Sequence, residues 1–288
     1  MNRLNEGLIK VNPKLLSTVS DTFKRIIVTR INSVIKEQLN GVEIDDDIRF
    51  FYEQELAFIE KYKDYINDTM PITPSTKEFN FTYKITPSLL NQPNYPKVDE
   101  PVNCAFVIYF EDSNSLSAFY TEDVENYDCA IGVNCEKHFS ILGKNSDNNN
   151  VYSIDYYRVE NTLKRLEEIV GHELMHLMQH KVIKSHKIGD VEYINPEDNY
   201  DMYFASDVEF NPHIYSELKY FLMKNESIIN DKEKLMSAFK MFVGMPHHVM
   251  LTSTFFNTLK RVNNKRYKVA VRIFFNELIK YIEKKKGA

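Results

Sequence analysis

The sequence predicts a protein of the α+β class, in which a small sheet precedes one long amphipathic helix. Apolar residues recur at helical spacing near both ends of the chain. In shorter segments between residues 79 and 142, apolar residues either alternate with polar ones or form a continuous run, as they do in strands. An apolar stripe with spacings of three and four follows these segments. This order of helices, strands and helices is typical of an α+β domain.

The N-terminal part is predicted to contain two helices. In the first, apolar residues recur at helical spacing, and Asn40-Gly41 marks its end. The acidic run Asp45-Asp46-Asp47 then leads into a second helical stretch from about residue 48 to 66. Three clustered acids could bind a cation, but a helix N-terminus also favours acidic side chains, and we favour this capping interpretation. The apolar residues of the first helix are Leu15, Leu16, Val19, Phe23, Ile26, Ile27, Ile31, Val34 and Ile35.

The middle of the chain is predicted to form the sheet. Six prolines between Pro71 and Pro101 interrupt any helix there. In residues 79–85, apolar and polar residues alternate as in a half-buried strand, and residues 104–110 form a continuous apolar run that suits a buried strand. The predicted strands are 79–85, 104–110, 127–134 and 138–142, and a surface loop is predicted from Gly143 to Asn150.

A long amphipathic helix is predicted from about Asn161 to about Val182. Its apolar stripe is flanked by His172 and His176, which can therefore face a cleft instead of the core. Gly171 lowers helix propensity by about 1 kcal/mol relative to alanine. Close approach of another backbone would explain this glycine, and a tolerated substitution is the alternative. The stripe comprises Leu163, Leu166, Val170, Leu174 and Leu177.

The remainder of the chain is predicted to be helical. A loop from Ser185 to Asn199 leads to a second helix that continues through about Lys224, and two or three amphipathic helices follow from Asp231. This pattern indicates three segments, or a single compact domain that contains all of them. The segments are a helical N-terminal part (1–70), a catalytic core (71–228) and a helical C-terminal part (229–288).

Composition excludes several classes of function. Hydrophobic residues make up 43% and charged residues 27%, as in globular proteins, and the net charge of −5 is too small to indicate a nucleic-acid partner. The three cysteines form neither a paired framework nor a C-x-x-C motif. No signal-peptide core and no run of 18 apolar residues is present, so we expect neither secretion nor a membrane partner. Nucleotide-binding and serine-hydrolase motifs are absent.

The chemistry of the long helix lies in His172-Glu173-Leu174-Met175-His176, an His-Glu-x-x-His motif. Residues four apart lie on one face of a helix, roughly 5–6 Å apart at Cβ, so two imidazoles can bind one ion. Glu173 follows the first histidine and could take a proton from a zinc-bound water. The motif therefore predicts a catalytic Zn²⁺ ion with His172 and His176 as ligands and Glu173 as general base.

A catalytic zinc needs a third protein ligand and one open position. His180 lies a further turn along the motif helix, but one straight helix cannot easily place three residues spread over about 12 Å around one ion. Glu209 is the candidate that we favour. Its spacing from Ser206 also fits a capping box, and Asn211 with Pro212 is an alternative helix start. The remaining candidates for the third ligand are Asp207, His213 and Glu217.

The motif, followed by an acid on a second predicted helix, resembles the gluzincin branch of the zincin metallopeptidases. The resemblance implies a zincin-like fold, with a small mixed sheet against the motif helix and an edge strand that holds a peptide. It also implies zinc binding by His172 and His176, a general base at Glu173 and a third ligand at Glu209. The family's usual Asn-Glu-x-x-Ser-Asp is absent around Glu209. The run Tyr203-Phe204-Ala205-Ser206-x-x-Glu209 also resembles metallopeptidase-like proteins of large tailed bacteriophages.

From the resemblance we place the edge strand at Cys129–Asn134. An oxyanion could be stabilised by a tyrosine or histidine beside the zinc, and the sequence does not choose among the residues eligible for this role. These residues are Tyr203, His213, Tyr215, His247 and His248.

The sequence thus predicts a zinc-dependent metallopeptidase acting on a peptide or protein substrate, in the cytoplasm or associated with a virion. The alternative is a non-catalytic structural or interaction protein that retains a zincin-like fold, with zinc kept for stability or lost. A metalloprotease-like toxin or effector is a third hypothesis.

Overall fold

In a computed structural model of the protein, the chain divides into two compact units. One unit, here the sheet unit, comprises Asn12–Leu89 and Glu100–Val170. The other, the helical unit, comprises Gly171–Ala288 with Met1–Val11 and Leu90–Asp99. These boundaries do not coincide with the predicted divisions after residues 70 and 228, since the first helix belongs with the sheet. The structure describes residues 10–40, 49, 52–91, 97–113, 115–144, 148, 150–183, 200–204, 206–244 and 253–286.

The sheet unit contains a mixed four-stranded sheet in the order β1-β2-β4-β3. β2 pairs antiparallel with β1 and parallel with β4, and β3 pairs antiparallel with β4. A separate antiparallel pair joins β5 to β6. The strands are β1 (Glu78–Ile85), β2 (Val102–Ser113), β3 (Ser117–Thr121), β4 (Cys129–Glu136), β5 (Phe139–Lys144) and β6 (Asn150–Ile154).

The N-terminal helix α1 (Pro13–Gln38) packs on this sheet. Its side chain Phe23 meets Phe81 of β1 edge-on, with ring centroids 5.2 Å apart, and Phe81 stacks on Phe106 of β2 at 5.0 Å. Asn12 caps the helix by accepting a hydrogen bond from the Lys14 N–H. All nine apolar residues predicted to form the helix stripe are buried. The prediction of this helix is confirmed, and its apolar face forms part of the core of the sheet unit.

The prediction that Cys129–Asn134 forms an edge strand is wrong. β4 lies between β2 and β3, and its burial extends to both faces over Cys129–Val133. A strand with two paired neighbours has no free backbone groups for a peptide. The edges of the sheet are β1 and β3. A continuous apolar run is typical of an interior strand, as it also is for β2, and this pattern contradicts an edge position.

Four strands were predicted near β1, β2, β4 and β5, and the structure confirms them with shifted ends. The short strands β3 and β6 were missed. β3 contains Phe119, whose ring lies across Gly132 of β4: a Cβ on Gly132 would be 2.2 Å from the Phe119 ring. The absence of a side chain at Gly132 thus leaves room for the Phe119 ring. No local pattern in the sequence indicates the pairing of β3 with β4. β6 falls at the end of the predicted loop Gly143–Asn150.

Two further helices precede the motif helix in the chain. α2 (Glu53–Tyr62) continues into a 3-10 turn at Lys63–Tyr65, which confirms most of the predicted stretch 48–66. α3 is the single turn Pro87–Leu90. The acidic run Asp45-Asp46-Asp47 lies outside the described residues.

The motif helix α4 (Tyr156–Met178) begins five residues earlier than predicted and continues into a π-helix at Gln179–Ile183. Asp155 explains the early start, because its carboxylate accepts a hydrogen bond from the Arg158 N–H at 3.0 Å. All five residues of the predicted apolar stripe are buried. The boundary between the two units falls within this helix, after Val170.

After the π-helix, the helical unit is built from five helices among the residues described. A cluster of phenylalanines forms their core: Phe221 lies 5.1 Å from Phe242, and Phe256 lies 5.3 Å from Phe274. The predicted C-terminal helices are therefore confirmed. The helices are α5 (Tyr200–Phe204), α6 (Asp207–Lys224), α7 (Lys232–Gly244), α8 (Thr254–Val262) and α9 (Asn264–Lys286).

The observed class is α+β with a small mixed sheet, as predicted. Across the part of the chain that the structure describes, no helix combines the length and the apolar character needed to cross a membrane.

Candidate metal centre

Within the helical unit, α6 and the part of α4 after Val170 each contribute a pair of potential metal ligands four residues apart. α4 carries His172 and His176, and α6 carries Glu209 and His213. A spacing of four places each pair on one face of its helix. The two pairs meet at the carboxylate of Glu209, which lies near all three histidines.

The start of α6 positions Glu209. Ser206 is the N-cap, and its hydroxyl accepts a hydrogen bond from the Glu209 N–H at 3.3 Å. The reciprocal half of a capping box is not made, because the Ser206 N–H donates to the Tyr203 carbonyl. The backbone of Glu209 therefore belongs to the cap, whereas its carboxylate is directed to the histidines.

The alternative start of α6 at Asn211 is wrong, because the helix already begins at Asp207. Pro212 consequently lies inside the helix, where it offers no N–H to the carbonyl of Val208. This local loss of a helical hydrogen bond falls between Glu209 and His213, the two residues of α6 that face the centre.

The distances within the cluster are similar to one another. Glu209 Oε2 lies 3.4 Å from His172 Nε2 and 3.4 Å from His213 Nε2. Glu209 Oε1 lies 3.5 Å from His176 Nε2. The ligand atoms of His172, Glu209 and His213 all lie within 4.8 Å of one another, so these three residues could hold a metal ion. The predicted ligand His176 is not part of this mutually close group, although it lies near the other oxygen of Glu209.

These distances fit ligands around an ion better than hydrogen-bonded partners. Hydrogen bonds between charged groups are about 2.7–2.9 Å long. Ligands about 2.0–2.2 Å from an ion at tetrahedral angles are about 3.3–3.6 Å from each other. Moreover, the buried Oε2 atom of Glu209 has no hydrogen-bond partner among the described residues. Imidazole and carboxylate groups also form the donor set that zinc sites use, so the residues present fit a zinc ion.

The electrostatics keep Glu209 ionised. Burial alone would raise the pKa of Glu209, but the imidazoles of His172 and His176 outweigh burial and hold it well below its ordinary value. Burial lowers the pKa of His176, but Glu209 outweighs it and the net pKa is raised. Burial, together with the charge of His172, lowers the pKa of His213 to about 3. His213 is therefore a neutral imidazole at neutral pH, the form that binds metals.

The cluster remains partly accessible. The side chain of Glu209 is 6% exposed, whereas those of His172 and His213 are 14% and 19% exposed. Both histidines can therefore be reached from solvent while the carboxylate between them is shielded.

His172 has a hydrogen-bond partner on its other ring nitrogen. Its Nδ1 atom lies 3.0 Å from the hydroxyl of Ser216, one turn beyond Pro212 on α6. Such a partner fixes the orientation and tautomer of a ligand histidine and directs Nε2 to the ion. Ser216 was not among the residues singled out from the sequence, although its spacing of seven from Glu209 places it near the same helix face.

Gly171 permits close packing of α4 against α6. A Cβ at Gly171 would be 2.3 Å from the ring of Tyr215. The prediction of a close approach at Gly171 is correct, but a side chain and not a backbone makes it. Tyr215, named as an oxyanion candidate, thus packs on the motif helix.

Glu173 is the predicted general base, and it is buried, with 7% of its surface exposed. Burial raises its pKa above the ordinary value for glutamate, and the nearby His172 and His176 oppose that rise. The carboxyl of Glu173 therefore holds a proton more readily than a glutamate in water. A raised pKa suits a group that takes a proton and later returns it.

Other predicted residues have different positions. Tyr203 approaches His213 edge-on, with centroids 6.1 Å apart. His180 lies in the π-helix, and the metal-ligand group found among the described residues includes neither His180 nor Glu217. The side chain of Asp207, together with His247 and His248, lies outside the described part.

The sequence left the role of His213 open, and the structure places it at the centre. The available signal was its spacing of four from Glu209. Comparisons with known proteins add nothing to this geometry: no family model, no curated protein and no solved structure matches the chain.

Proposed function

We propose that this protein is a zinc-dependent metallopeptidase with a zincin-like fold. The observation that supports the proposal most is the convergence of the two motif histidines on Glu209, which a different helix supplies. The sequence motif by itself implies two ligands and a base, whereas the third ligand must come from another part of the chain. The residues proposed as zinc ligands are His172, His176 and Glu209.

In this proposal the residues divide the work of hydrolysis. A bound zinc ion supplies a water of lowered pKa and a Lewis acid for the substrate carbonyl. Glu173 accepts the proton of the attacking water on its carboxylate and donates it to the nitrogen of the leaving amine. Glu209, ionised and buried, offsets the positive charge at the centre. Ser216 holds the His172 ring in place through Nδ1.

Replacement of Glu173 by glutamine tests the mechanism. Glutamine keeps the size of the side chain but cannot accept the proton, so peptide cleavage should fall by at least about 100-fold while zinc content stays at the wild-type level. Cleavage would be measured on a library of unstructured peptides, and zinc by elemental analysis of the same samples. Glu217→Gln on α6 is the matched control and should cleave normally. Undiminished cleavage by Glu173→Gln would contradict the mechanism.

A second candidate function is a structural or interaction protein, including a virion component, in which zinc stabilises the fold. One observation favours it: His213 Nε2 lies 3.4 Å from Glu209 Oε2, near enough to serve as a fourth protein ligand, and structural zinc sites use four. Under this hypothesis no peptide is cleaved by the wild-type chain, and removal of zinc with a chelator unfolds the protein.

A further inference from the structure

The proposed zinc centre contains one side chain more than a three-ligand site requires. We propose that His213 is a fourth protein ligand, so that the pairs His172/His176 and Glu209/His213 together enclose one ion. The inference rests on the proposed zinc centre but is independent of peptide cleavage. It concerns the set of side chains that would coordinate the ion before any substrate binds. Metal-affinity measurements and spectroscopy determine this set without a substrate.

The first argument is distance. His213 Nε2 lies as far from Glu209 Oε2 as His172 Nε2 does, 3.4 Å in both cases. If His172 is a ligand on the basis of this distance, His213 has the same claim. The pair distance also agrees with the separation of about 3.3–3.6 Å expected between ligands of a tetrahedral zinc ion.

The second argument is the fixed orientation of the His213 ring. One of its faces stacks on Phe255 of α8, with centroids 5.4 Å apart and planes inclined by 29°. His172 meets the ring edge-on at 4.9 Å. Phe255 is itself buried, and Ser253 caps its helix through a hydrogen bond from the Phe256 N–H. The packing around His213 therefore holds Nε2 towards the carboxylate.

The third argument comes from the donor atoms that surround the carboxylate. An isolated ion pair would need a single imidazole at about 2.7–2.9 Å from Glu209. Here three imidazole nitrogens surround the two oxygens, all at 3.4–3.5 Å. His172 and His213 approach Oε2, whereas His176 approaches Oε1, so the carboxylate is not paired with one imidazole. The ligand atoms of His172, Glu209 and His213 lie within 4.8 Å of one another, as ligands of one ion do.

This shell has a consequence for the proposed reaction. Three imidazoles and one carboxylate fill a four-coordinate zinc ion, whereas a catalytic zinc keeps one position for water or substrate. Hydrolysis at this centre would then require an open position that the four proposed ligands would otherwise fill.

The test counts imidazole ligands in the full-length chain. X-ray absorption spectra of the zinc-loaded wild-type protein should fit three imidazoles and one oxygen ligand, and those of His213→Gln should fit two imidazoles. The zinc affinity of His213→Gln, measured by competition with a chromophoric chelator, should fall by more than about 10-fold, since loss of a ligand costs at least as much as loss of a hydrogen-bond partner to one. His180→Gln, on the motif side of the centre, is the matched control and should keep wild-type affinity.

The spectrum of the wild-type protein alone suffices if His213→Gln does not fold. Two imidazoles in the wild type, or an unchanged zinc affinity in a folded His213→Gln variant, would overturn the proposal. Failure of the proposed function looks different. If the spectra show three imidazole ligands but the protein cleaves no peptide, His213 is a fourth ligand and the proposed peptidase function is wrong. If the spectra show two imidazole ligands and the protein cleaves peptides, the peptidase function stands and the proposal of a fourth ligand is wrong.

Discussion

His138 in the sheet unit and His213 in the helical unit are both histidines whose pKa is lowered by burial, to about 4 and about 3. Their polar surroundings differ. His138 Nε2 lies 3.1 Å from the hydroxyl of Thr162, the one partner that a neutral imidazole nitrogen needs. His213 faces a carboxylate that two further imidazoles share. Burial and a lowered pKa are therefore common to a structural histidine and a candidate ligand, and convergence of several donors distinguishes them.

Among substitutions that test this difference, we expect the largest loss of zinc affinity at Glu209. Replacement by glutamine removes the negative charge between the histidines, so zinc affinity should fall by more than about 100-fold, beyond the range seen for partners that only orient a ligand. Affinity would be measured by competition with a chelator. The matched control is Glu217→Gln, and a Glu209→Gln variant that binds zinc as tightly as the control would remove Glu209 from the centre.

The structural histidine should show itself in the pH dependence of stability. The unfolded chain takes up a proton at His138 near pH 6.5, whereas the folded chain does so only near pH 4. As the pH falls below 6.5, the unfolded state is stabilised and the free energy of unfolding decreases. Between pH 8 and pH 5 the decrease from this group is about 2 kcal/mol.

Denaturant unfolding of the wild type and of His138→Gln at several pH values would isolate that contribution, because the other titrating groups are common to both chains. Parallel pH profiles would show that His138 is not responsible. Zinc affinity should be the same in the wild type and in His138→Gln, whereas Glu209→Gln should bind zinc more weakly than the wild type.

A smaller effect is expected at Ser216. Loss of its hydroxyl removes the partner of His172 Nδ1 but leaves all four potential ligands, so Ser216→Ala should weaken zinc binding by about 10-fold. Ser216→Thr keeps a hydroxyl and should recover most of the affinity. Equal affinities in the alanine and threonine variants would show that the hydrogen bond does not contribute.

The parts of the fold that follow from local patterns could be predicted. The apolar stripe of α4 determines its buried face, and spacings of four determine that His172 and His176 point together. β1 and β2 follow from alternation and from a continuous apolar run. The start of α4 could also have been found, since Asp155 is a recognisable capping residue immediately before it.

Features that depend on pairing between distant segments could not be predicted. An apolar run indicates that β4 is buried, but only the positions of β2 and β3 determine that it is interior. Likewise, Gly171 accommodates Tyr215, a residue 44 positions further along the chain, and no local pattern links the two. The choice of His213 over His180 and Glu217 depends on how α6 packs against α4, which a spacing rule does not specify.

The positions of the four proposed ligands in the chain also matter for stability. An ion held by His176 on one side and Glu209 on the other closes the residues between them into a loop, as a disulfide bond would. A cross-link of this span lowers the entropy of the unfolded chain by an amount worth roughly 3–4 kcal/mol at 25 °C. No disulfide bond joins the three cysteines in the structure, so a bound metal would be the one covalent-like cross-link in the described part of the chain. The stability of the helical unit would then vary with the concentration of free zinc.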